Sequence, residues 1–218
     1  MIILIISVAI FLALSVPVCM YYGKPIVRPA QPDEGIALGG DLPTGYMGLL
    51  RAAGWDERVG DAIALWVSVA RQELIGIQNG RVVCRYPCST AAAGAGSRVG
   101  SWQTPLGWHV IDERIGDGLP VGAIFKERKY TGRVWDPENR THDDLILTRI
   151  MWLRGLEPGL NLGEGVDSHA RFIYIHGTPE EDRLGTPASL GCIRMANRDV
   201  AELYDLTTTG TPVLITEW

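Results

Sequence analysis

Charge is scarce where the chain begins and weighted to the acidic side elsewhere. The first 22 residues, MIILIISVAIFLALSVPVCMYY, hold no charged side chain, and Lys24 is the first to appear. Over the whole chain 20 Lys and Arg stand against 25 Asp and Glu, a formal net charge of -5. A phosphate-backbone partner needs a clustered excess of cations, and no such run exists, so nucleic-acid binding is excluded. Cysteine is sparse as well. Cys19 falls in the apolar leader, and Cys84 and Cys88 flank RYP in an apparent strand. Residues four apart on a strand are separated by ~13 Å, too far for a disulfide. That leaves Cys192 without a disulfide partner, and closely spaced Cys/His pairs of the metal-binding kind are missing. No metal or organic cofactor is expected.

Residues 1–22 are long enough to cross a bilayer as a helix and are read as a membrane anchor or signal segment. The charged start and small-residue cleavage site of a signal peptide are missing, which favours an anchor. Lys24 and Arg28 follow the apolar run, and taken alone they would hold the next domain in the cytoplasm. Lipid attachment at Cys19 is a further alternative, although Val18 precedes it where a small residue is usual. Residues 23–60 read as a Pro/Gly-rich stalk with a short helix within 46–60. Residues 61–218 make up the remaining domain.

In that domain, 26 glycines and 13 prolines, counted over the whole chain, punctuate short Val, Ile, Trp and Tyr runs. This texture predicts a mainly β fold. Asn79 and Gly80 form a strong hairpin signal between strands at 63–77 and 81–89. Further strands are predicted at 108–113, in DDLILTRIMWLRGL, in ARFIYIHGT and in GTPVLITEW. A helix is predicted at 197–206, with Asn197 as N-cap and Val200, Leu203 and Leu206 at helical spacing.

The stretch PASLGCIRMANRD, 187–199, raises the question of chemistry. Of four histidines, His109, His142, His169 and His176, the last ends a strand just before Gly177 and precedes Cys192 by 16 residues. A cysteine nucleophile needs a base, itself oriented by a third group. The backbone N–H groups of Gly191 and Cys192 could form an oxyanion hole. Arg194 could bind a substrate carboxylate, hold a thiolate, or lock the fold by pairing with a buried acid. Spacing alone leaves Cys192 open to the plainer reading of a buried thiol, since free cysteine commonly fills cores.

IYIHGT at 173–178, SLGCIRM at 189–195 and GTPVLI at 210–215 resemble the catalytic core of L,D-transpeptidases of the YkuD type. RYPCST at 85–90, TPLG at 104–107 and TRIMWLRG at 148–155 follow in the same order, so the resemblance spans about 62–217. It implies a β-sandwich of mixed sheets with a helix behind the cysteine loop and a lid within 114–145. It also implies a cysteine acyltransferase acting on peptidoglycan stem peptides outside the cytoplasmic membrane. In that scheme Cys192 is the nucleophile, His176 the base and the Gly177 carbonyl its orienting group, with Gly191, Ser189 and Arg194 at the oxyanion and substrate positions. Carbapenem-type β-lactams are expected to acylate Cys192. Water as acceptor would instead make the protein a hydrolase on the same site, and loss of activity would leave a wall-binding module. One departure stands out: many members have His before the Gly-Cys pair, where this chain has Leu190. An oligomeric state is not indicated.

Overall fold

The computed structural model describes residues 20–21, 24–25, 40–138 and 144–218. The chain divides into two units, residues 1–31 and 32–218. In the first, β1 (Met20–Tyr21) pairs antiparallel with β2 (Lys24–Pro25). The remainder of the expected anchor, including Cys19, lies outside the described residues, as does 26–39 of the expected stalk. Among the described residues no helix is long and apolar enough to cross a membrane.

The second unit runs α1 (Thr44–Ala52), α2 (Trp55–Arg58), β3 (Ala64–Ser68), β4 (Glu73–Gln78), β5 (Arg81–Ser89) and β6 (Gly107–Ile115). There follow β7 (Ala123–Lys126), β8 (Lys129–Val134), β9 (Ile146–Gly155), β10 (Tyr174–Gly177), β11 (Ile193–Met195), α3 (Asn197–Leu206) and β12 (Pro212–Thr216). Asn79 and Gly80 both take positive φ, 52° and 74°, the paired left-handed residues of a tight hairpin turn, and β4 folds back on β5. The expected strand 63–77 is interrupted between β3 and β4. There the Ser68 hydroxyl accepts the Arg71 N–H at 3.2 Å, and Gln72, at φ 52°, donates its side-chain amide to the Val69 carbonyl at 2.6 Å. Side-chain bonds to nearby backbone thus offer the chain a turn in place of a ladder.

The strands form one mixed sheet in the order β10-β11-β5-β4-β3-β12-β6-β9-β7-β8. Because β9 also pairs with β10, the sheet closes on itself, and its two facing walls are parts of one sheet. The β7–β8 hairpin hangs from β9, within the segment expected to hold a lid. Among the described strand pairs, only β10–β11 and β12–β3 run parallel.

Inside the closed sheet, Leu65, Leu74, Met151, Ile175 and Ile193 pack against Val200 and Leu203 of α3. On the outer side Tyr46, Leu50 and Trp55 of α1 and α2 cover Trp66, Ile75, Trp108 and Leu214. Every residue of β3 is buried for this reason, and the strand reads as a continuous apolar run rather than an alternating one. Fully burying one such Leu or Ile contributes about 1.5–3 kcal/mol. Residues 42–58 therefore belong to the body of the second unit and not to a stalk, and Gly54 at φ 81° divides the expected single helix into two.

Helix α3 spans the expected residues, but Ala196 occupies its N-cap position. Asn197 instead lies within the first turn, where its N–H meets Glu181 Oε1 at 2.8 Å and its side-chain amide donates to the Thr178 carbonyl at 2.8 Å. The carboxylate supplies the capping acceptor, favoured also by the helix dipole. Leu206, expected on the buried face, is exposed, because the helix ends there.

Candidate active site

Strands β10 and β11 place the central residues. Their parallel register sets His176 beside Arg194, so Cys192, one residue before β11, falls level with Tyr174. By the two-residue period of a strand, His176 and Cys192 share a face as diagonal neighbours. Gly177 ends β10 in close quarters, because a Cβ there would meet Asn197 Oδ1 and lie 2.9 Å from the Leu147 carbonyl.

The His176 ring is buried, and its Nδ1 lies 2.8 Å from the Gly177 carbonyl. A carbonyl only accepts, so Nδ1 carries the proton and Nε2 presents a lone pair. Among the described residues Nε2 has no hydrogen-bond partner. Burial pulls the imidazole down to about 4, against opposing contributions from the Gly177 carbonyl and Asp144, with Arg194 assisting.

Cys192 is half-buried. Its Sγ accepts the Tyr174 N–H at 3.4 Å and faces the Phe172 carbonyl at 3.4 Å. Desolvation pushes the thiol up to about 11; the Tyr174 N–H, Arg194 and Arg171 oppose the rise and Asp144 adds to it. Both shifts favour the thiol and the uncharged imidazole as the resting forms. No hydrogen bond joins them among the described residues, so the register brings them near while the thiol rests on the β10 backbone.

The loop before Cys192 is fixed by Ser189 and Thr104. The Ser189 hydroxyl donates to the Cys192 carbonyl at 2.6 Å and accepts the Gly191 N–H at 3.2 Å. Thr104 Oγ1 donates to the Gly191 carbonyl at 3.0 Å. The Gly191 N–H, expected as an oxyanion donor, is therefore directed into its own loop. Gly191 has φ 129°, and a Cβ would come within 3.3 Å of Ile173 Cδ1 and 3.4 Å of the Gln103 carbonyl, so the position favours glycine. Leu190 is 56% exposed and presents an apolar side chain to solvent beside the Gly191–Cys192 pair.

Arg194 is buried, with its two terminal nitrogens each 2.7 Å from an acid, Asp144 Oδ1 and Glu180 Oε2. Of the three roles open to it from sequence, fold-locking pairing is the one these contacts describe, and neither terminal nitrogen is left facing a substrate. Arg171 is similarly committed, to the carbonyls of Gly96 and Gln103 and the Ser101 hydroxyl.

Several neighbours escaped sequence reasoning. Trp152 packs edge-on against Tyr174 and tilted against Phe172, with Arg128 over Trp152 and Phe172. The β7–β8 hairpin that carries Arg128 turns through Glu127 and Arg128 at positive φ, without a glycine to mark it. Alternation of β9 and β10 could have grouped Trp152 with Tyr174, but not with Arg128. Of the other histidines, His109 is buried and hydrogen-bonded at both ring nitrogens, His169 stacks on Trp152 with centroids 3.9 Å apart, and His142 lies outside the described residues. Asp112, Glu113 and His169 could hold a metal ion, their ligand atoms lying within 4.8 Å of one another, although Arg154 already pairs with Asp112 at 2.8 Å.

Residues 62–215 match the sequence model of the YkuD family, the L,D-transpeptidase catalytic domain, and the chain belongs to that family. The YkuD protein of Bacillus licheniformis is 52% identical over 42 residues, 19% of this chain and 26% of that protein. The YqjB protein of Bacillus subtilis is 47% identical over 47 residues, 22% of this chain and 27% of that protein. Both carry provisional L,D-transpeptidase names, and the matched part spans about a quarter of each. Among solved structures, that of the L,D-transpeptidase LdtMt1 in complex with imipenem is similar at 19% identity and a TM-score of 0.45, covering 72% of this chain and 60% of the other.

Proposed function

We propose that the protein is a peptidoglycan L,D-transpeptidase in which Cys192 forms the acyl-enzyme. The observation that carries this reading is the β10–β11 register, which sets a histidine whose Nε2 has no partner among the described residues on the same face as a cysteine one pleat away. Family membership supplies the substrate class. The thiol proton passes to His176 Nε2 as Sγ attacks the carbonyl of the L,D bond in a tetrapeptide stem, while Nδ1–H stays on the Gly177 carbonyl. The imidazolium then protonates the departing D-Ala amine, leaving a thioester on Sγ. An amine acceptor attacks the thioester, His176 takes its proton, and the thiol is regenerated. Burial favours the uncharged form of both groups, so in this reading the thiolate forms as the substrate arrives. Ser189 acts by holding the Gly191–Cys192 loop, and Arg194 by tying β11 to Asp144 and Glu180. This reading places the domain on the extracytoplasmic face of the membrane, with residues 1–22 as its tether.

The test is acylation by a carbapenem followed by intact-mass analysis. Wild type should gain one adduct and Cys192→Ala none. Absence of a wild-type adduct, or an adduct that survives Cys192→Ala, would refute the assignment. Given tetrapeptide stems and abundant amine acceptor, the protein should yield crosslinked product, and hydrolysis alone would replace the transferase reading with a hydrolase.

A further inference from the structure

Three arginines surround the Cys192 region, and they differ in what their donors meet. Arg194 is engaged by Asp144 and Glu180, and Arg171 by two carbonyls and a hydroxyl. Arg128 stands apart. Its guanidinium carbon lies 4.8 Å from the Trp152 ring centroid and 5.0 Å from that of Phe172, and Nη1 reaches the Tyr174 hydroxyl at 3.3 Å. Among the described residues it has no other hydrogen bond and no carboxylate within ion-pair distance. A guanidinium carries five N–H donors in a planar fork. Aromatic contacts hold that plane without consuming its in-plane donors, and they restrict a side chain that would otherwise lose entropy on binding. The shelf that holds it is continuous with the nucleophile, since the Tyr174 N–H and Phe172 carbonyl both face Cys192 Sγ.

We infer that Arg128 is a specificity-determining residue that binds a carboxylate of the peptide acyl donor through its free guanidinium edge. This rests on the proposed acyl-transfer function for the identity of the donor. A stem peptide offers this chemistry at its C-terminus and at side-chain carboxylates, and an Arg–carboxylate fork is the geometry that matches an arginine presented this way. Arg128 also sits at the tip of the β7–β8 hairpin, so the same contact would draw the hairpin towards bound substrate.

The experiment measures tetrapeptide binding by calorimetry to the full chain carrying Cys192→Ala, with and without Arg128→Gln or Arg128→Lys. The peptides are the free acid, a form amidated only at the C-terminus, a form amidated only at side chains, and one amidated throughout. Arg128→Gln should raise the Kd for the free acid about 10- to 100-fold, as expected for hydrogen bonds to a charged group. Arg128→Lys should fall between, and the fully amidated peptide should show no dependence on residue 128. Whichever singly amidated form also loses the dependence identifies the carboxylate. Unchanged affinity in Arg128→Gln, or equal weakening for the free-acid and fully amidated peptides, would overturn the inference. Thioester formation on Cys192 is followed in parallel with chains that retain the cysteine. Arg128-dependent binding without any thioester would sink the acyl-transfer reading and leave the carboxylate site. Thioester formed alike by wild type and Arg128→Gln from free-acid and fully amidated donors at limiting concentration would do the reverse.

Discussion

His109 and His176 occupy opposite fates in nearly the same surroundings. Both are buried, both hold Nδ1 against a glycine carbonyl, at 3.0 Å from Gly107 and 2.8 Å from Gly177, and burial pulls both down to about 4. The difference is at the other nitrogen. His109 Nε2 is 2.9 Å from the Ser168 hydroxyl, whereas His176 Nε2 has no partner among the described residues and shares a face with Cys192. In the proposed reaction the base is therefore distinguished by a lone pair that has no partner among the described residues and lies beside a thiol. Depth and a depressed pKa describe the structural histidine equally well.

The comparison is broken most directly by replacing each ring. His176→Gln should slow carbapenem acylation of Cys192 by about 10²–10⁴-fold, the span of general-base effects, with the fold retained by circular dichroism. His109→Gln should leave the acylation rate of the folded protein within a few-fold of wild type. Equal slowing by the two would erase the distinction.

The pH profile probes the same lone pair in the intact protein. Acylation should fall by up to about tenfold per pH unit below about 4, where Nε2 is protonated, and should be flat through neutrality. It should rise again as the thiol approaches its pKa of about 11. An inflection between pH 6 and 8 in stopped-flow acylation would instead mean that cysteine and histidine rest as an ion pair.

Removing the cap at the structural end is a smaller perturbation. Ser168→Ala leaves His109 Nε2 unsatisfied and should lower unfolding free energy by about 1–3 kcal/mol in urea titrations. It should confer no new reactivity, because no thiol faces His109. Among the described cysteines, Cys84 and Cys88 are buried, desolvation pushes the Cys84 thiol up to about 11 and the Cys88 thiol further still, and neither should alkylate in the native state.

The smallest effect lies in acid sensitivity. Each histidine has a folded pKa below its ordinary 6.5, so the unfolded chain binds more protons as the pH drops. The stability they contribute is full above about 6.5 and is lost as pH falls towards about 4. His109→Gln should accordingly lose less stability than wild type between pH 7 and 5, measured as the change in urea midpoint.

Much of the frame was legible in sequence because local chemistry decides it. Asn79 and Gly80 accept left-handed φ cheaply, and the hairpin forms there. The apolar period of 197–206 marks α3, since Val200 and Leu203 must face the sheet. The division of 63–77 into β3 and β4 was not legible, because a glutamine folded back on its own backbone makes that turn. Nor was the β7–β8 hairpin, whose turn is built from Glu127 and Arg128. At the site, the motif blocks marked His176 and Cys192, while the partners of Gly191 and Arg194 had several possible identities until the chain was folded.

Sequence by itself named the groups proposed for the chemistry, because motif blocks mark Cys192, His176 at the end of a strand run and the glycines beside each. Tertiary structure decided what each group meets. Parallel pairing of β10 and β11 put the histidine and cysteine on one face, Ser189 turned the Gly191 N–H inward, and two acids claimed Arg194. The strand pairing and the Arg194 ion pairs join residues far apart in the chain, and the local Ser189–Gly191 bond forms within the loop that they position. The same hydrogen-bonding groups have many possible partners locally, and only the closed sheet selects among them.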